Sequence, residues 1–110
     1  MATINVSTSQ NLTAISYAVR DTINVNDGVT LTINSAWATR PFLIQALGTG
    51  RIEVSNSSTT TPMVLEFDTS AANSGGFSVQ QNGVLQIRGD WITVATSTGT
   101  SNQVLFSSNN

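Results

Sequence analysis

Glu66 and Asp68 stand two residues apart, and in this 110-residue chain they come closest to a catalytic arrangement. On a strand, residues i and i+2 share a face. The two carboxylates would then project side by side, with Glu53 as a third partner on a neighbouring strand. Paired carboxylates are what glycoside hydrolysis uses, and clustered carboxylate oxygens can hold Ca²⁺. Each of these acids, however, alternates with apolar neighbours and therefore faces water, where nothing raises a carboxyl pKa. Neither an EF-hand loop nor a Gly-rich nonapeptide repeat accompanies them. The rest of the composition removes most other chemistry. The four basic residues are all arginines, and His and Cys are absent. Imidazole bases, thiolate nucleophiles, zinc sites, Schiff bases and disulfides are thereby excluded. The many Ser and Thr hydroxyls have no ordinary base to activate them. The expectation is a non-enzyme with no catalytic residue, no cofactor and no metal site.

What remains are binding candidates. Trp37 lies in the irregular stretch Ser35-Ala36-Trp37-Ala38-Thr39-Arg40-Pro41, and Pro41 holds Arg40 extended. Trp37, Arg40, Tyr17 and Trp91 are the candidate interface residues, because large aromatic rings and arginine dominate interfaces. Trp37 and Trp91 could equally be sugar-stacking platforms or core fillers. Arg88-Gly89-Asp90 spells a tripeptide found in some integrin ligands, but before Trp91-Ile92 it reads more simply as a strand end followed by a turn. The triplets starting at Asn5, Asn11 and Asn56 match the glycosylation acceptor pattern. Their number, about three, is what this Ser/Thr content yields by chance.

These side chains must be carried by strands. Apolar pairs at i and i+2 recur at Ile23/Val25, Leu31/Ile33, Phe42/Ile44, Ile52/Val54, Leu65/Phe67, Phe77/Val79, Leu85/Ile87, Ile92/Val94 and Val104/Phe106. A spacing near ten residues per strand and turn means an all-β sandwich, barrel or solenoid. Three segments, Ile23–Ile33, Ile44–Val54 and Phe77–Ile87, look alike, and their glycines Gly28, Gly50 and Gly83 lie 22 and 33 residues apart. The first gap suits one coil of a parallel β-helix. The second requires a coil enlarged by insertion, with Ser57–Thr61 and Thr69–Gly76 as candidates. The reading is therefore an all-β fold, a short parallel β-helix (β-solenoid). An antiparallel β-sandwich or jelly roll is the alternative, since Asn26-Asp27-Gly28 and Asn82-Gly83 are also hairpin signals. Residues 1–20 are set apart as a lead-in or docking segment. There Leu12, Ile15 and Val19 could form a short amphipathic helix capped by Ser9 or Asn11. Residues 21–110 form the solenoid-like domain.

Composition bounds the partners. Hydrophobic residues make up 39% of the chain and the net charge is -2, so it can bury a core and is not a disordered polar tract. No basic face exists to displace counterions from nucleic acid. The apolar runs are too short to span a bilayer, and the first ten residues lack the basic and apolar regions of a signal peptide.

At Thr22–Ile33 and at Asn82–Ile92 the chain resembles β-helical segments of tailed-phage virion proteins, especially tail-fibre and tail-spike-like proteins. Gln103–Asn110 continues in the same style. The resemblance covers residues 20 to 110 and is one of texture rather than of a diagnostic motif. It implies a virion structural part, commonly a homotrimer, made in the host cytoplasm and located at the particle surface or tail. Its implied partners are other copies of itself, other virion proteins and, as a lesser option, a host surface glycan. Capsid decoration is the second role, and a carbohydrate-binding β-helix the third. No catalytic residue is carried over.

Overall fold

A computed structural model of the chain describes residues 1–70, 74–96 and 103–109. The strands are β1 (Thr3–Val6), β2 (Gln10–Asn11), β3 (Thr22–Val25), β4 (Thr30–Ile33), β5 (Leu43–Ala46), β6 (Arg51–Asn56), β7 (Met63–Phe67), β8 (Ser74–Gln80), β9 (Val84–Gly89), β10 (Ile92–Thr96) and β11 (Gln103–Asn109). They form three parallel sheets ordered β1-β3-β5-β8-β11, β2-β4-β6-β9 and β7-β10. The chain visits the sheets in turn and returns to each one a level further on, which makes a short parallel β-solenoid. All nine apolar pairs read from the sequence fall on strands β3 to β11, with Phe42 just ahead of β5.

The antiparallel alternative fails at the turns themselves. Asn26–Val29, Leu47–Gly50 and Gln80–Gly83 are each closed by an i to i+3 hydrogen bond of 2.8–3.0 Å. The strands on either side of each turn belong to different sheets. These turns are corners, not hairpins, and they aim Ile23 and Val25 across the interior toward Leu31 and Ile33, all four fully buried.

Strand register sorts the interior into columns. Ile4, Ile23, Ile44 and Phe77 stack through the first sheet. Leu31, Ile52 and Leu85 stack through the second, and Met63 meets Ile92 in the third. Burying such side chains stabilises the fold by roughly 1.5–3 kcal/mol each. Ile44 follows Ile23 by 21 residues and Phe77 follows Ile44 by 33. Gly28 stands one residue out of alignment with Gly50 and Gly83, because Arg51 and Val84 align with Thr30 and so place Val29 level with those two glycines. The turns differ in kind: the left-handed residue is the third of Asn26–Val29 (Gly28, φ 75°) but the second of the other two (Gly48, φ 57°; Gln81, φ 49°). Gly50 is required for another reason. A Cβ there would lie 2.7 Å from the Val25 carbonyl oxygen of the preceding coil.

The larger coil gains a wall as well as loops. Strand β7 supplies that wall, and Ser57–Pro62 leads to it, held by Asn56, whose Nδ2 donates to the carbonyls of Thr61 (3.1 Å) and Asp90 (2.9 Å). Of the second expected insertion, Thr69–Gly76, residues 74–76 belong to strand β8, and 71–73 lie outside the described residues.

Residues 1–20 supply strands of the first coil. Thr3-Ile4-Asn5-Val6 and Thr22-Ile23-Asn24-Val25 are the same tetrapeptide, paired residue for residue as β1 and β3. The expected amphipathic helix is a single 3₁₀ turn, Leu12–Ala14, capped by Asn11 as anticipated. Ten residues make a marginal helix in isolation. Here Ile15 is already extended (φ -105°, ψ 130°), and Arg20 is left-handed (φ 68°) as the chain turns into β3.

Polar side chains tie coil to coil. Asp21 accepts from the N–H of Ala2 (2.7 Å) and of Ala18 (2.8 Å). Asp27 accepts from the Thr49 hydroxyl (2.7 Å) and N–H (2.8 Å) of the next coil. On the outer face, Gln45 donates to Asn24 (3.3 Å) and Asn24 to Asn5 (3.4 Å), an amide ladder across three coils.

Two outcomes are expected. Ile44→Ala opens a hole in the central column and should cost about 2–5 kcal/mol in denaturant unfolding. The Ala2 and Ala18 N–H groups hold the Asp21 carboxyl below its ordinary value of 3.8, and the Thr49 hydroxyl and N–H do the same for Asp27. A lowered folded pKa adds stability that is complete above the unfolded value and lost as pH falls through the folded one. The urea midpoint should therefore hold down to about pH 4 and drop below it. Asp27→Asn, which keeps an accepting oxygen, should shrink that drop.

Candidate functional site

Two of the sequence-derived candidates, Tyr17 and Trp37, meet in one cleft of about 260 Å³. It lies between the 3₁₀ turn of the first coil and residues 35–39 of the next. That second segment is irregular where the enlarged coil has β7, so the wall beneath β7 is built by a side chain instead of a strand. Trp37 turns inward there, its ring 5.1 Å from that of Phe67 and 6.4 Å from that of Phe77, while Phe67 and Phe77 meet edge to face at 5.1 Å. The indole Nε1–H donates to the Glu66 carbonyl at 2.8 Å, which fixes the ring against β7.

Across the cleft, the Tyr17 hydroxyl donates to the Thr39 carbonyl at 2.7 Å. Burial pushes the phenol up to about 12, so Tyr17 stays a neutral donor. Asn11 shapes the rim. Its Oδ1 accepts from the Thr13 N–H and hydroxyl, both at 3.0 Å, and its Nδ2 donates to Asn34 at 2.9 Å, joining the two coils. Leu12 and Ile15 complete the apolar surface, and no charged residue lines the cleft. The sequence marks Asn11 as a helix cap, Ile15 as part of a helical stripe and Thr39 as one residue of an irregular stretch, but none of the three as a binding residue. The Asn11-Leu12-Thr13 spelling of an Asx turn was the available signal.

Arg40 lies beside the cleft and not in it, its Nε 2.7 Å from Glu66 Oε1. That contact engages one member of the carboxylate pair. The other, Asp68, accepts from the Ser70 hydroxyl (2.6 Å) and N–H (3.0 Å), which hold its carboxyl below the usual range. Glu53 belongs to a different sheet and binds Arg51 within its own strand at 3.0 Å. The three acids are thus each committed to separate partners. Among the described residues, no group of three or more His, Cys, Asp or Glu side chains is placed to hold a metal ion.

Trp91 occupies another corner, the β9–β10 turn, with left-handed backbone (φ 62°) and 58% of its surface exposed. Its carbonyl accepts from the Met63 N–H at 2.7 Å and so opens the β7-β10 ladder. Arg88, Gly89 and Asp90 precede it and are also exposed. Another groove, of about 240 Å³, crosses the outer face of β4, β6 and β9, lined by Arg51, Glu53 and Arg88 with uncharged neighbours.

The fold and cleft define a small parallel β-solenoid with one uncharged, aromatic-walled cleft and no assembled acid–base pair among its described residues. Comparison with protein-family models, with curated proteins and with solved structures finds no match to this chain.

Tyr17 is the chain's single tyrosine, so phenolate absorbance reports it alone. Its titration should centre near 12 in the folded protein and near 10 in denaturant. Between those values the unfolded phenol has lost its proton while the folded one keeps it, so stability should fall as pH rises above about 10. A folded-state midpoint at the unfolded value would show that the ring does not sit in the cleft wall.

Proposed function

We propose that this chain is a non-enzymatic structural module of a tailed-phage virion, belonging to a tail fibre, spike or baseplate, which acts by self-assembly, as a homotrimer, and by docking to other virion proteins. One observation supports self-assembly above the rest. None of the ten charged residues lies in β1, β3, β5, β8 or β11, the strands of the largest sheet. Its outer face presents Thr3, Asn5, Thr22, Asn24, Leu43 and Gln45, with the amide ladder running across it. Soluble β proteins commonly keep charges on open sheets and edges to prevent association. A charge-free face of hydrogen-bonding side chains can meet a copy of itself without like-charge repulsion, which otherwise costs several kcal/mol. The inner columns add to this, because burial fades along the axis. Ile33 and Val54 are buried but Ile87, level with them, is 40% exposed. A solenoid buries its hydrophobic side only against a neighbouring layer.

The β-helical texture of Thr22–Ile33 and Asn82–Ile92 supports the tail setting. Capsid decoration shares the same self-packing chemistry and differs in where the copies lie. Sedimentation equilibrium should give a trimer, and Asn24→Arg, which places like charges on the meeting faces, should yield a folded monomer with an unchanged circular dichroism spectrum. A wild-type monomer at high concentration would overturn the self-assembly reading. Labelling on the particle decides the setting: density on the tail supports the proposal, and many copies spread over the head replace it with capsid decoration.

A further inference from the structure

We infer that the cleft between Tyr17 and Trp37 is a binding site for one neutral pyranose unit, a role separate from self-assembly. The two rings are held in place without a ligand. Both polar tips are already bonded to main-chain carbonyls, the phenol to Thr39 and the indole to Glu66. A ligand therefore meets ring carbon and not a free donor, and the rings keep their orientation without it. Rigid, pre-oriented aromatic surface gives binding area at little entropic cost. Trp37 is further fixed by its contacts with Phe67 and Phe77, and Leu12 and Ile15 extend the apolar floor.

The rim is the complement of that floor. Thr13, Ser35 and Thr39 bring hydroxyls to the opening. Among the described residues no hydrogen bond is formed by the side chains of Ser35 or Thr39, whereas Thr13 is bonded to Asn11. A sugar ring matches this layout, since it has a face of C–H groups to lie on an aromatic ring and an edge of hydroxyls that both donate and accept. The cleft is smaller than most drug-sized pockets, which run from about 300 to 1,000 Å³, and suits a single ring.

Charge selects against the other small ligands. Neither cation nor anion lines the cleft, and Tyr17 remains protonated at neutral pH. A carboxylated or phosphorylated ligand would give up hydration with no counter-charge to replace it. The outer groove with Arg51 and Arg88 is the place for an anion, but Glu53 already engages Arg51 there.

The test uses the chain's two tryptophans. Trp91→Phe leaves Trp37 as the sole indole, and its fluorescence is followed during titration with glucose, galactose, mannose and N-acetylglucosamine, each to about 100 mM, well above the millimolar Kd expected of one sugar ring. N-acetylneuraminic acid serves as the charged probe and toluene as the apolar one. At least one neutral sugar should give a saturable change. Ala38→Phe in the same background fills the cleft from an exposed position and should weaken that binding at least about tenfold, with the circular dichroism spectrum unchanged. Ala38 is chosen because Trp37→Ala would also remove a ring from the core. The inference is overturned by the absence of saturation with every neutral sugar, by binding that survives Ala38→Phe, or by preference for the charged or the apolar probe.

Discussion

The structure depends on one constraint: each coil must bring its apolar residues to the same height and face as the coil beneath it. A parallel ladder repeats side-chain direction strand for strand, so a slip of one residue would turn an entire inner column to water. The column Ile4, Ile23, Ile44, Phe77 shows how strictly the chain obeys. The paired copies of Thr-Ile-Asn-Val are its simplest form, the same alternation laid down twice. What varies is confined to places where the column is not interrupted, namely the corners and the insertion between β6 and β8. Even the corners are constrained where coils touch, since Gly50 leaves no room for a side chain over Val25.

The same constraint produces the cleft. The smaller coil has two walls and the enlarged coil has three, so β7 has no strand below it. Trp37 fills that space, bonding to the β7 backbone at Glu66 and packing on Phe67 and Phe77. Its neighbours in the irregular segment then stand clear of the 3₁₀ turn, and Tyr17 spans the gap to Thr39. A core-filling tryptophan and a binding wall are thus one side chain, with one surface against the core and its surroundings open on the other side.

Charge follows the same division. The carboxylates are used singly: Asp21 and Asp27 join successive coils, Asp68 closes a local turn, and Glu53 and Glu66 pair with arginines. That placement leaves the largest sheet neutral, the property on which the self-assembly proposal rests.

Much of this was legible in the sequence. Apolar alternation located β3 to β11, the near-repeat of segments around Gly28, Gly50 and Gly83 indicated a parallel solenoid, and the 33-residue gap indicated an enlarged coil. Local alternation suffices for these because side-chain direction in a strand is a property of the backbone. Other features were decided only by the tertiary structure. Ile4 and Val6 carry the same alternation, yet they become a strand because β3 offers an edge. Leu12, Ile15 and Val19 have helical spacing, yet the chain needs those residues to travel back to the next coil. Gly28 resembles Gly50 in its surroundings but stands one residue away in register, because the corner types differ. The pairing of Glu66 with Arg40, the separation of Glu53 from both, and the meeting of Tyr17 with Trp37 depend on contacts between residues about 20 or more apart. Composition named the residues able to bind or react; the height and face at which each coil returns determined which of them meet.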